Sequence, residues 1–439
     1  MAVRAIEREH RFSLLDALPY PWMVTAFLLA WVGVLIALGL GYCTRQMALL
    51  NFMMILSLHE RNPYVLDGAD NVARVMSFWA IFLPLGAAYS VDRWRQVPQR
   101  MGVAFPLRMA QLQIVLIYTF AGLLKLSGGV WLAGEGLFYA LQLRSLTLPT
   151  GDWMLAHLPF EVLQGLSYAV LIFELSFGLL IWHPFLRKVA LLGGVLFHLG
   201  IALTMTIPNF SWVMILSYSL FLPEGWLEKL EGRLKASWPV FMASIVPSAQ
   251  GQITRWWRLA QAGQTVFLGG VMLTILAWNL NSIERQGQAL IPPVEGGPRL
   301  VIQYLSLGQQ WAMFAPYPTT FDGWIIIPGE FEDGRSLDLF TMQPVNYQMP
   351  RPWAGYGLRW RKYQEALYRY EYPDLLLAWG RYLCRTINEE AGRPVGGRLA
   401  RFEIVYWRRF SVERGQAPMP YTPYRLWQHW CYDDYAPSD

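Results

Sequence analysis

Cysteine is scarce in this chain. It occurs three times in 439 residues with no Cys-x-x-Cys spacing, so the sequence offers no basis for a zinc site. Charge is scarce too, at 15% of residues against 54% hydrophobic, and the formal net charge of +5 is modest. The arginines sit in short loops beside apolar runs and form no single patch, which argues against a nucleic-acid partner. The N-terminal stretch "MAVRAIEREHRFSLLDALPYPW" mixes acids with bases and leads into an apolar run that lacks a small-residue cleavage site. That pattern predicts an uncleaved first span and no signal peptide. The sequence contains no internal repeat and no low-complexity tract.

What is present is apolar length. Mean hydropathy is +0.26, and most of the first 285 residues fall into long hydrophobic runs, the profile of a membrane protein. Seven spanning or embedded helices are predicted, at residues 20–43, 75–91, 108–127, 160–182, 188–206, 211–223 and 264–283. The stretch 44–58 is apolar but only about 15 residues long, so it is predicted to lie in the interface or inside the bundle. Seven crossings put Arg4, Arg8, Arg11, Arg93, Arg95, Arg100, Arg187, Lys188, Lys229, Arg233, Lys235, Arg255 and Arg258 on one side. By the positive-inside rule that side is cytoplasmic, and everything after residue 284 lies outside.

A Pro/Gly-rich linker, "IPPVEGGP", separates the membrane domain from a polar tail. The predicted division is a transmembrane domain over 1–285, a linker over 286–297 and a soluble domain over 298–439. In the tail, "GWIIIPGEF", "SLDLFT", "RLARFEIVYWRRFSV" and "YRLWQHWC" read as strands, and "PDLLLAWGRYLCRTINEEAG" as one amphipathic helix. The expected fold class is therefore a polytopic α-helical bundle with a small extracytoplasmic α+β or β-rich domain. Cys384 and Cys431 both lie in that domain, where a disulfide requires an oxidising compartment.

Few polar residues interrupt the apolar runs. Lys125, in "YTFAGLLKLSGGVW", falls near the outer membrane boundary, six residues before Trp131. A snorkelling lysine would explain it, and so would a partly desolvated amine able to take a proton from a phenol or hydroquinone. Glu174 in "LIFELSFGLL" and His198 in "GGVLFHLGIALTM" fall mid-helix, so the carboxylate is expected to face the bundle interior, in a structural pair or a wet cavity. The stretch "SLHERNPYVLDGAD" crowds His59, Glu60, Arg61, Asn62, Asp67 and Asp70 onto the outer rim, with Asp70 as the expected cap of the next helix.

Together "SLHERNPYVLDGADNVARVMSFWAIFLPLGAAYSVDRW", "QLQIVLIYTFAGLLKLSGGVWLAGEGLFYAL", "FELSFGLLIW", "FHLGIALTMTIPNFSWVMI" and "QQWAMFAPYP" resemble the HTTM family. This is the membrane-domain family that includes the vitamin K-dependent γ-glutamyl carboxylases, and the resemblance runs in order over roughly residues 15–325. In the carboxylases the lysine of the "AG-x-x-K-L" stretch is assigned as the base that deprotonates reduced vitamin K, and Lys125 stands at that position. A late histidine and an acid of the same neighbourhood are matched by His198 and Glu174. The carboxylases carry a further upstream histidine where this chain reads "VLDGADN", and their lumenal region is much longer than this tail.

The resemblance implies a reduced naphthoquinone as cofactor. Lys125 is then the base, with His198, Arg61, Asp70 and Glu174 around it and His59, Asn62 and Trp131 as cofactor contacts. Membrane lipids, a quinone or lipid-like ligand, and a protein bound through the tail are the expected partners. The alternative is a non-catalytic membrane scaffold, in which the buried polar groups hold helices together. Transport ranks last, because paired inverted repeats are missing.

Overall fold

In a computed structural model the structure describes residues 13–87, 89–95, 104–223, 226, 255–285, 288–349, 358–370, 373–390 and 397–432. Arg4, Arg8, Arg11, Arg100, Lys229, Arg233 and Lys235, which enter the topology expectation, lie outside these residues.

The membrane part is built from α1 (Pro21–Gly39), α2 (Thr44–Arg61), α3 (Gly68–Ala80), α4 (Ala104–Leu126), α5 (Phe160–Leu180), α6 (Leu186–Thr204), α7 (Pro208–Ser217) and α8 (Arg255–Asn281). Among the described residues five helices are long and apolar enough to cross a bilayer, namely α1, α4, α5, α6 and α8. The helices found where spans are expected at 75–91 and 211–223 are shorter. With 13 and 10 residues, α3 and α7 extend about 20 and 15 Å, against a hydrocarbon core of about 30 Å. Pro84 follows the end of α3, and α7 passes into a 3-10 turn, Tyr218–Phe221, just before Pro223.

Composition and placement agree in an instructive way. The most apolar span, α1, buries Val34 alone, whereas the less apolar α4 buries most of its residues. With apolar lipid tails as solvent, the helix carrying Gln111, Gln113, Tyr118 and Lys125 belongs at the centre of the bundle. The stretch at 44–58 becomes α2, whose Phe52, Ile55 and Leu56 are buried in the bundle. Its start is capped from the far end of the next hairpin, where Asp92 accepts from the backbone N–H groups of Cys43 and Thr44, each at 2.8 Å.

The tail forms a six-stranded antiparallel sheet: β1 (Phe321–Ile326), β2 (Pro328–Phe331), β3 (Ser336–Asp338), β4 (Gln343–Pro344), β5 (Leu399–Phe410) and β6 (Thr422–Trp430). The strand order is β1-β5-β2-β3-β4, with β6 along the other edge of β5. The run "GWIIIPGEF" makes both β1 and β2, broken before Pro328, and both pair with β5. Phe402, Ile404 and Tyr406 alternate onto one face of β5, where they pack against α9 (Leu358–Tyr370) and α10 (Pro373–Arg385) through Leu367, Leu375, Leu376 and Trp379. A disulfide joins Cys384 at the end of α10 to Cys431 just past β6. Tyr64 and Val65, from the loop after α2, pack into this second core, so the two parts of the chain meet there.

Candidate functional site

Three polar residues on α4 recur every seven positions: Gln111, Tyr118 and Lys125, all buried. Seven residues are nearly two helical turns, so they form one line along the helix, facing α5, α6 and the turn after α7. Each then meets a different partner.

Lys125 meets Glu174 of α5. Its Nζ donates to both carboxylate oxygens, at 2.7 and 2.8 Å, with the two side chains only 4% and 5% exposed. The indole of Trp131 lies 5.2 Å from Nζ, and its own N–H is tied to the Phe314 carbonyl at 2.8 Å. Gly122, one turn earlier, allows the close approach: a Cβ there would sit 2.9 Å from Leu175 and 3.3 Å from the Glu174 Cβ. The pair has no net charge, which is how two ionisable groups are tolerated in such a place.

Two turns toward the N-terminus, the Tyr118 hydroxyl joins His198 Nε2 at 2.6 Å and also the Tyr218 hydroxyl. Phe177 packs on Tyr118 with ring centroids 4.4 Å apart, and Phe210 meets His198 edge-on. Gly194 leaves the space that the Tyr218 hydroxyl occupies. The Nδ1 of His198 is buried with no hydrogen-bond partner.

The rim residues form a third cluster. Asp67, and not Asp70, caps α3. Its carboxylate accepts from Ala69 and Asp70, while Asp70, one turn inside, returns a bond to the Asp67 N–H, completing a capping box. Asp70 also takes both terminal nitrogens of Arg359 from α9, one at 2.6 Å. Burial would push the Asp70 carboxyl up, but the Arg359 bonds and the Asp67 amide pull it below the usual range. His59 lies 3.1 Å from Arg74 and 3.7 Å from Asp70. Burial first, and then the Arg74 charge, hold it down to about 4.

These findings sort the expected site residues. Lys125, Glu174 and Trp131 come together, and His198 joins the same face of α4 through Tyr118. Asp70 instead holds the loop to α9 of the C-terminal domain through Arg359, with His59 beside it against Arg74. Arg61 donates to the Leu15 carbonyl at 2.6 Å, and Asn62 accepts from the Tyr64 N–H at 3.2 Å. Tyr118 and Tyr218 are not among the expected residues, since tyrosine in an apolar run reads as packing material; the seven-residue spacing of Gln111, Tyr118 and Lys125 is the signal that finds Tyr118.

The stretch containing "QQWAMFAPYP" runs between these centres. The Ser306 carbonyl accepts from Arg74 at 2.7 Å and its hydroxyl donates to Glu60. Gln309 exchanges bonds with Gln113 of α4 and accepts from Trp311 at 2.8 Å. Phe314 then receives Trp131. One strap therefore touches the rim cluster, the central helix and the indole beside Lys125.

A bundle of long apolar helices, carrying a buried lysine–carboxylate pair and followed by a C-terminal antiparallel sheet, defines the class: an integral membrane protein. Residues 8–226 match the model of the HTTM domain, and the chain belongs to that family. No solved structure matches the chain.

Proposed function

We propose that the HTTM domain of this chain binds a lipid-like aromatic alcohol, of which a reduced naphthoquinone is the type case, with Lys125 as the proton acceptor. The observation that carries this reading is the buried Lys125–Glu174 pair closed off by the Trp131 indole. Intramembrane ionisable groups mark functional sites by default, and this pair combines charge with an aromatic wall.

The residues suit such a ligand. Lys125 has three N–H donors and Glu174 engages two. Ammonium with carboxylate and amine with carboxylic acid carry the same net charge, so a proton can move between Nζ and the carboxylate without creating an unpaired buried charge. With the proton on Glu174, the Nζ lone pair is a base, and Glu174 keeps the resulting ammonium in position. A reduced naphthoquinone supplies, when bound, the acidic aromatic hydroxyl for that base. Trp131, fixed by the Phe314 carbonyl, orients the ring and excludes water. Tyr118, His198 and Tyr218 extend a hydrogen-bonded polar line deeper into the bundle.

The reading puts the C-terminal domain on the extracytoplasmic side. A Cys384–Cys431 disulfide supports this, since such bonds persist in oxidising compartments.

A second reading is favoured by one feature: Glu174 already saturates two donors of Lys125, as a structural pin between helices would. The two part in one experiment. Organic extraction of the purified protein, followed by mass spectrometry, finds a quinone or similar aromatic lipid in the wild type and not in Lys125→Ala if the site binds it. Equal lipid content in both, with the variant still folded, leaves the pin.

A further inference from the structure

Phe314, in the strap, stands at φ 56°, a left-handed conformation in which a bulky residue is strained. It occupies the third position of a turn, closed by the Ala315 N–H donating to the Ala312 carbonyl at 3.2 Å. Strain of this kind persists only where the surroundings fix it, and it gathers at functional sites. The Phe314 carbonyl takes no part in the turn's own hydrogen bond and accepts the Trp131 indole N–H at 2.8 Å. That indole lies 5.2 Å from Lys125 Nζ, so only Trp131 separates the strained turn from the Lys125–Glu174 pair.

Contacts on three sides hold the turn in place. Upstream, Gln309 and Gln113 of α4, both buried, exchange amide hydrogen bonds at 2.6 and 3.3 Å. Trp311 joins the bundle core that contains Ile114, Ile117 and Tyr118. The Phe314 ring packs against the cluster of Leu141 and Leu163. Downstream, Pro316 lies over Gly128, whose N–H donates to the Lys125 carbonyl at 3.0 Å just past the end of α4. A Cβ at Gly128 would run into the Pro316 carbonyl, which as backbone cannot swing aside. The Gly128 backbone is extended, at φ −106° and ψ 127°, so glycine serves the close approach there and not the conformation.

We infer that the turn Ala312–Ala315 is a positioning element of the ligand site: Gly128 and the Gln113–Gln309 pair set its place, and its Phe314 carbonyl holds the Trp131 indole against Lys125. This rests on the reading of Lys125 as proton acceptor for an aromatic hydroxyl. Gly128, Gln309 and Phe314 are positioning residues, acting through Trp131 and not on the proton. The turn lies beyond residues 8–226, the part that matches the HTTM domain, so the aromatic wall of the site is held by chain that follows the family's domain.

The test uses the full-length protein in an uncharged detergent, grown with 5-fluorotryptophan. Fluorine NMR reads the Trp131 resonance, identified by its loss in Trp131→Phe, and menadiol affinity is titrated on the same samples as a function of pH. Gly128→Ala is compared with Gly129→Ala, where a Cβ meets nothing within 4 Å. Gly128→Ala shifts the Trp131 resonance and weakens menadiol binding about tenfold, with the pH midpoint of binding unchanged, and Gly129→Ala does neither. Phe314→Gly is the second variant: it relieves the left-handed strain and so folds, yet it removes the ring that anchors the turn, and both readouts move in the same direction. If the wild type binds no menadiol, the proton-acceptor reading fails, and the resonance alone decides the positioning, a shift in Gly128→Ala supporting it. The inference is overturned if Trp131 keeps its wild-type resonance in both Gly128→Ala and Phe314→Gly. It is equally overturned if the resonance shifts while a wild-type affinity for menadiol is retained.

Discussion

Both carboxylate oxygens of Glu174 bond to the single nitrogen of Lys125, at 2.7 and 2.8 Å, joining the C-terminal end of α4 to α5. Neither residue is more than marginally exposed, so each is the other's replacement for water.

Removing one partner therefore leaves a buried charge alone. Lys125→Met and Glu174→Met are each expected to lose about 3–5 kcal/mol of stability, and the double variant to regain most of it. Thermal or denaturant unfolding in detergent, read as a double-mutant cycle, measures this. Losses that simply add would mean the pair is not coupled.

Tyr118 serves His198 and Tyr218 with one hydroxyl. Tyr118→Phe is expected to cost about 1–3 kcal/mol, because two buried groups lose a partner. Lys125 lies seven residues away, about 10 Å along α4. Combining Tyr118→Phe with Lys125→Met should thus be additive to within about 0.5 kcal/mol. A large coupling energy would show that the two centres work as one.

Acid should loosen the contact between α9 and the rim. His59 is held at about 4 in the fold against 6.5 when free, so below pH 6.5 the unfolded chain takes up a proton that the folded chain refuses. Stability falls between pH 6.5 and about 4, by on the order of 3 kcal/mol, and this component then levels off. Asp70 acts lower: its folded pKa is depressed, so its contribution is present above the ordinary carboxylate range and lost as pH drops through the folded value. Unfolding measured from pH 7 to 4 tests this, and His59→Gln should flatten that stretch of the curve. An unchanged slope in the variant would assign the acid sensitivity elsewhere.

Thiol labelling under denaturing conditions should tag one cysteine, Cys43, without reductant and all three with it. Reduction should cost the C-terminal domain about 2–4 kcal/mol, as expected for a loop closed over 47 residues. Labelling of all three cysteines before reduction would remove the bond from the account.

Much of the fold was legible because lipid and water each leave a mark on sequence. Long apolar runs marked α1, α4, α5, α6 and α8, and β-branched runs bounded by Gly and Pro marked the strands of the sheet. Helices α3 and α7 were less legible. Hydropathy continues through Ile81, Phe82 and Leu83 after α3 has ended, because those residues pack in the core without being helical. Helix α9 escaped notice since "LRWRKYQEALYRY" is basic and aromatic throughout; only Tyr363, Ala366 and Leu367, buried at i, i+3 and i+4, betray it. Arg359 therefore could not be foreseen as the partner of Asp70. The pairing of Lys125 with Glu174 had a reason in sequence, an expensive carboxylate in need of a cation, but which cation it takes depends on helix packing.

The most direct measurement is binding of menadiol, followed by quenching of tryptophan fluorescence, in wild type and in Lys125→Met/Glu174→Met. The double variant carries no lone buried charge and folds, so a binding defect in it reports on the site and not on stability. Saturable quenching in the wild type that weakens at least tenfold in the double variant is the expected result. Equal binding by the two proteins, or none by the wild type, would contradict a role for the pair in holding an acidic hydroxyl.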